Sequence, residues 1–263
     1  MRYVGSKAVW SARRGRGMAL VLVLWIVAAL AIFANSLGGV VRREAAVAGV
    51  ARQMAEGRAI GEAAIYQLLQ RMVLKPLDFR EYTVVPVSLG GRIIEVSITP
   101  WSGLVNINDA QPALLSLLLS RAAGLDGGAA DALAQAIVQA RLVSGGTRPL
   151  RPAWDAPEDL LQVPGMTYGI LASIRDFIVA DSDGRGGINP AAAPEPLRLW
   201  LGEGGMASQQ GIGSPRFSFI AKVPFEGAGD ALVVRQVDLE GGGRPGRLPW
   251  IILSASQAWR GRM

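Results

Sequence analysis

The sequence predicts an α+β protein: one long N-terminal helix, two groups of strands, and a helical region between them. Three observations carry this. Residues 18–34 are all apolar, no charge falls between Gly17 and Arg42, and apolar residues then recur at helical spacing to about residue 74. Segments rich in β-formers lie at 82–99 and again at 216–254, divided by glycine-rich turns. The stretch between them, about 101–205, has helical periodicity and almost no strand pattern.

The chain starts basic, with Arg2, Lys7, Arg13, Arg14 and Arg16 and no acid before Gly17. A helix rises about 1.5 Å per residue, so the charge-free run 18–41 is long enough for a hydrocarbon core of roughly 30 Å. A helix also satisfies its own backbone in lipid. The run is therefore expected to be a retained membrane span. The competing reading is a discarded secretory signal, for which Ala29-Leu30-Ala31 offers a small-x-small cleavage pattern. The net charge is +6, but the basic N-terminus accounts for most of it, leaving 22 of the 27 basic residues against 21 acidic ones. That excess reads as a topology signal holding the N-terminus in the cytoplasm. The absence of Cys and His removes thiol nucleophiles, imidazole bases, zinc–thiolate sites and disulfides.

Residues 42–74 continue the helix. Val47, Val50, Ala51 and Met54 recur at helical spacing, as do Gly61, Ala64, Ile65, Leu68 and Met72, while Glu44, Arg52, Glu56, Arg58, Glu62 and Arg71 take the other faces. Gly38, Gly39, Gly49 and Gly57 are expected to weaken the helix and permit bends, and Pro76 to end it. Next comes a hairpin at 82–99 turning on Gly90-Gly91, with Ile94, Val96 and Ile98 on one face. Further strands are expected at 216–223, 231–239 and 248–254.

In the central region the pattern predicts helices at 112–123, 129–142, 158–161, 168–180 and 196–201. Asn106, Asn108 and Asp109 precede the first and Asn189 the last, where short polar side chains are expected to cap helix starts and form turns. Asp155, Glu158 and Asp159 sit just ahead of Leu160-Leu161, where acids favour a helix N-terminus. There is no P-loop, no nucleophile elbow and no histidine base, so an enzyme is not expected. Residues 160–174, with Val163-Pro164-Gly165-Met166 between two apolar segments, resemble a helix-hairpin-helix. Such a turn can hold DNA phosphate, but Arg175 is the only cation in its second helix, and nucleic acid is not an expected partner. Asp181-Ser182-Asp183-Gly184 matches the opening of a calcium loop; Ala192 stands where such a loop needs its glutamate, so a solvated turn is expected and Asp181 and Asp183 remain weak calcium candidates.

The junction of the basic segment, Gly17 and Met18 resembles the prepilin leader and its cleavage site, and the resemblance implies cutting between Gly17 and Met18 by prepilin peptidase with methylation of the new amine. Members of that family carry a glutamate at the fifth mature position, except one class; here the position is Leu22. That class is the K-type minor pseudopilin of type II secretion, general secretion pathway protein K. The chain resembles it further at 105–110 with Leu114-Leu115, at 160–166, at 187–191 and at 249–254, in that order. Where family members carry acidic residues after the A-x-A-I helix, this chain has Val138, Gln139, Ala140 and Arg141 behind Ala134-Gln135-Ala136-Ile137.

The resemblance implies a pilin-like long helix packed on an antiparallel sheet, with an inserted α-helical domain of helix-hairpin-helix (SAM-like) type. The corresponding division is a leader at 1–17, a transmembrane helix at 18–41, the helix extension and first strands at 42–100, the insertion at 101–205 and the remaining strands at 206–263. It implies a single-pass protein of the bacterial inner membrane with its bulk in the periplasm, at the tip of the pseudopilus that supports export of folded proteins. The implied partners are other minor pseudopilins, the major pseudopilin, the inner-membrane secretion platform and prepilin peptidase. The implied assembly face carries Leu22, Val47, Val50, Met54 and Ile65. Two alternatives stay open from the residues alone: a membrane-tethered helix-hairpin-helix DNA-binding protein, and an exported soluble binding protein with a cleaved signal.

Overall fold

The computed structural model describes residues 15–144, 153–181, 186–203, 214–225, 229–239 and 248–261. The first element is helix α1 (Gly15–Leu74), whose side chains are described at 20–32 and from residue 47 onward. The chain divides after Ala55 into two compact units.

In the first unit α1 exposes its apolar run, with Leu20, Trp25 and Ile32 each more than 70 % exposed. Among the described residues no helix is long and apolar enough to cross a membrane. Of the span expected at 18–41, only 20–32 lie among the residues whose side chains are described. Residues 1–14 of the expected leader lie outside the described residues. Gly17 and Met18 lie within α1, so the helix starts ahead of the apolar run.

In the second unit the rest of α1 packs on a sheet, and Pro76 begins the 3-10 turn that follows the helix, as its ring requires. Strands β1 (Thr83–Leu89) and β2 (Arg92–Pro100) form the expected hairpin, with Thr83 opposite Ile98 and Leu89 opposite Arg92. Its turn needs two consecutive positive φ angles, which Gly90 (+57°) and Gly91 (+76°) supply. The chain then leaves the sheet for the helical insertion. This holds the short strand β3 (Val105–Asn106), helices α2 (Pro112–Ala123), α3 (Gly127–Ser144) and α4 (Tyr168–Ile174), strand β4 (Ile178–Val179) and helix α5 (Glu195–Glu203). The chain returns through β5 (Arg216–Phe225), β6 (Gly229–Asp238) and β7 (Ile251–Arg260). The sheet order is β1-β2-β5-β6-β7, every neighbouring pair antiparallel. The insertion therefore interrupts a simple meander between two adjacent strands.

Each of the two layers has its own core. Ile94, Val96 and Ile98 of β2 meet Phe219, Ala221 and Val223 of β5, Ala231 and Val233 of β6, and Ala64, Ile65, Leu68, Leu69 and Met72 of α1. The Val, Leu, Ile, Phe and Met side chains here contribute roughly 1.5–3 kcal/mol each on full burial. The helix lies close on β6 because of two glycines. A Cβ on Gly57 would stand 2.7 Å from Ala231 Cβ, and one on Gly61 2.6 Å from Val233 Cγ2. Gly57 is thus a packing residue rather than the bend expected of it. In the insertion, Leu114, Leu115, Leu118 and Leu119 of α2 pack with Ala130, Leu133, Ala134 and Ile137 of α3, Leu160, Leu171 and Ile174 around α4, and Leu197 and Leu201 of α5.

Several expectations for the insertion are corrected. The helix expected over 168–180 stops at Ile174, and 175–177 form a 3-10 turn. β-branched Ile178 and Val179 then pair in parallel with Val105 and Asn106, almost fully buried. Residues 157–162 are a 3-10 helix; Asp159 Oδ2 accepts from the Asp155 and Ala156 amides at 3.0 and 3.1 Å, which is the helix-start role expected for that acidic cluster. Asn189 accepts from Ala191 N at 3.1 Å and so starts a 3-10 turn at Pro190, not the helix at 196–201 that it was expected to cap, since α5 begins only at Glu195. By contrast α2 begins at Pro112 behind Gln111, with no side-chain cap. At the C-terminus β7 runs to Arg260 rather than stopping at 254, because β6 offers pairing along that whole length, with a register shift between Gln236 and Val237.

Candidate assembly surface and the insertion seam

The expected assembly residues separate into two groups. Leu22 (62 %), Val47 (70 %), Val50 (57 %) and Met54 (37 %) are exposed on α1. Ile65 is 1 % exposed and sits in the core under the sheet, so it is internal to the fold and leaves the assembly face. The sequence missed this because one helical stripe has two fates. Residues 47, 50 and 54 run on, in helical spacing, into 57, 61, 64, 68 and 72, and the second half of that stripe is covered by this chain's own strands. The first half of the stripe stays exposed. Sheet strand β7 adds a second exposed apolar patch, with Ile251, Ile252 and Leu253 at 45, 37 and 45 %. The sequence showed this stretch only as an expected strand at 248–254.

Polar groups bind α1 to the sheet beside that stripe. Arg235 of β6, 4 % exposed, ion-pairs with Glu62 and donates to Ser256 O at 3.1 Å. Arg58 donates to Glu62 Oε1 at 2.9 Å from the same helix. Burial pushes the Glu62 carboxyl up, but the hydrogen bonds and charges of Arg58 and Arg235 outweigh it and hold the group below the ordinary glutamate value. A buried arginine without that carboxylate would carry an unpaired charge.

The asparagines ahead of α2 are wired across the insertion. Asn106 Oδ1 accepts from Asn108 N at 3.2 Å, an Asx turn, and from Asp181 N at 3.1 Å, while its Nδ2 donates to Asp109 Oδ2 at 2.9 Å. Asn108 Nδ2 donates to Trp154 O and Asp181 O at 2.9 and 3.1 Å, and its Oδ1 accepts from Trp154 N at 3.0 Å. Arg141, at the position where acids were expected by resemblance, donates to Ile107 O and Ala110 O. Turn formation was foreseen for these residues; links over 46 and 75 positions of sequence were not.

Asp181 is not the start of a solvated turn. It is 3 % exposed, and its carboxylate ion-pairs with Arg216 at the head of β5. A carboxylate held by a guanidinium is a poor cation ligand. Asp183, the other weak calcium candidate, lies outside the described residues. Among the described residues no three acidic side chains cluster in a way that would hold a metal ion. In the hairpin at 160–174, Gly165 makes the turn at φ +90°, and Arg175 ion-pairs with Glu158. The hairpin's one expected phosphate-binding cation is thus met by an acid of the same unit.

No protein-family model matches the sequence, and no curated protein matches it. Among solved structures the chain is similar to one in the crystal structure of the GspK–GspI–GspJ complex from the type 2 secretion system of enterotoxigenic Escherichia coli. The match has a TM-score of 0.50 and 12 % sequence identity, and spans 80 % of this chain and 98 % of that one. At that identity the likeness is one of fold, and it agrees with the meander under a long helix described above: the chain has a pseudopilin-like α+β fold.

Proposed function

We propose that this chain is a minor pseudopilin of a type II secretion system, of the K-type, occupying the tip of the pseudopilus. The observation that carries the reading is the helical insertion between adjacent strands β2 and β5 of a pilin-like meander, combined with Leu22 in place of a glutamate. A buried glutamate on such a helix needs a cationic partner, because charge burial without one forfeits solvation. A subunit with nothing stacked above it has no partner to offer, and leucine keeps the helix apolar. An insertion of this size adds bulk that obstructs a further subunit if it projects beyond the sheet.

On this reading the stripe at Leu22, Val47, Val50 and Met54 contacts other minor pseudopilins and, further down, lipid and the major pseudopilin. The neighbour's crystal is itself a complex of GspK with GspI and GspJ, which supports a hetero-oligomer of minor pseudopilins. The run at 18–41 is the proposed single membrane span, with the N-terminus cytoplasmic, the bulk periplasmic, and prepilin peptidase acting between Gly17 and Met18. No catalytic activity is proposed. The test is site-specific crosslinking from position 50 in secreting cells. Adducts with minor pseudopilins on one side only are expected. Copies of this subunit repeated along the shaft, with neighbours at both ends, would overturn the tip assignment.

A further inference from the structure

We infer that Asp181 is a clasp that fixes the helical insertion in one orientation on the sheet, and that without it the insertion can swing about its stem. The insertion leaves the sheet after Pro100, and the chain rejoins it at Arg216. Pro100 stands opposite Phe217 in the β2–β5 register, so exit and return lie on neighbouring strands. Two links about 5 Å apart define an axis and do not prevent rotation about it. What prevents rotation is the seam. Across it Tyr82 N, just ahead of β1, donates to Ala191 O at 3.2 Å, and within the insertion Asn189 N donates to Ser102 O at 2.7 Å. Gly103 lies so close to Ala192 that a Cβ would fall 1.9 Å from its carbonyl oxygen.

The charged contact crosses the seam through two side chains, and each is anchored in its own layer. On the sheet side, Arg216 and Asp238 are cross-strand partners, with Arg216 Nε 3.0 Å from Asp238 Oδ2, while Trp101, the first residue of the insertion, sets its ring centroid 5.6 Å from the guanidinium. The sheet therefore sets the direction of the guanidinium. On the insertion side, Asp181 follows β4, and its backbone is held at both N–H and C=O by Asn106 and Asn108. The insertion therefore sets the position of the carboxylate. Their pairing joins two pre-oriented halves, a carboxylate 3 % exposed and a guanidinium 30 % exposed. The inference stands apart from the secretion reading, since it concerns only this chain's two layers.

The chain has no cysteine, so two can be introduced for spin labels without background. Tyr168→Cys on α4 and Ile93→Cys on β2 use positions that are 78 % and 64 % exposed. Pulsed electron paramagnetic resonance on the full chain in detergent is expected to give one narrow distance. Adding Asp181→Asn should broaden the distribution about twofold or more, while circular dichroism keeps its helix signal. Adding Asp238→Asn instead, which leaves Asp181 on Arg216 and only loosens the guanidinium, should broaden it clearly less. An unchanged width in D181N overturns the clasp, and so does equal broadening in D238N, which would place the role in the sheet-side pair. If D181N fails to fold, Arg216→Lys, which keeps the charge and loses the fork, replaces it with the same two readings.

Discussion

Val50→Asp and Ile65→Asp place the same charge on the same helical stripe, and the structure predicts opposite consequences. Val50 is 57 % exposed, so an aspartate there stays hydrated in the isolated chain and should change stability by no more than about 0.5 kcal/mol. In a complex that covers Val50, the carboxylate would be desolvated with no partner. A penalty of about 3 kcal/mol is reasonable for that loss, which is roughly a hundredfold in affinity. Ile65 is 1 % exposed beneath the sheet. Its aspartate variant forfeits about 1.5–3 kcal/mol of apolar burial and adds a buried charge, together a large part of a domain's roughly 5–15 kcal/mol. The assay pairs thermal melting of the full chain in detergent with co-purification of minor pseudopilins. V50D should melt like the parent and lose its partners; I65D should lose its cooperative melt. Unchanged co-purification of V50D would refute the use of this stripe in assembly, and a parental melt for I65D would refute the packing of α1 on the sheet.

Glycine replacement on α1 should change sign along the helix. Gly49→Ala meets nothing within 4 Å and should stabilise by about 0.5–1 kcal/mol through helix propensity, whereas Gly61→Ala pushes a methyl into Val233 and should cost a net ~1–2 kcal/mol, both read as shifts in melting temperature. Asn108→Ala strips partners from both Trp154 backbone groups and the Asp181 carbonyl, and should lower stability by about 3 kcal/mol in denaturant titration, with the insertion opening first by hydrogen exchange. Because Glu62 is held below its ordinary value in the folded chain, its contribution is full above the normal glutamate range near about 4.3 and is lost as pH falls through the folded value; melting temperature should drop on acidification, and Glu62→Gln should flatten that drop. Gly17→Val should leave precursor of full size in the membrane fraction on immunoblots, since a bulky residue blocks the proposed cut; normal maturation would remove the prepilin reading.

Local pattern carried a large share of the architecture. The boundaries of α2, the β1–β2 hairpin and the stop of α1 before Pro76 were legible because each follows from neighbours within one turn or one strand. The site was legible only in outline. The stripe 47–72 shows as one periodic face, but periodicity reports that a face is apolar and not what covers it. Where β6 reaches α1, Gly57, Gly61 and Ile65 become core; Val47, Val50 and Met54 stay exposed.

By itself, then, the sequence determined the class of the protein: an apolar helix behind a basic Gly-Met junction, strands on either side of a helical block, and no residues for thiol or imidazole chemistry. Those features depend on composition and on spacings of two to four residues, which a chain displays without folding. Tertiary structure alone decided the partners of the polar and short apolar segments. Ile178 and Val179 left a helical pattern because Val105 and Asn106 offered a strand to pair with. Asp181 became a buried ion-pair partner because Arg216, distant in sequence, was brought to it by the return of the chain to the sheet. Such choices rest on pairing energies between residues far apart in sequence, and these exist only once both layers have formed.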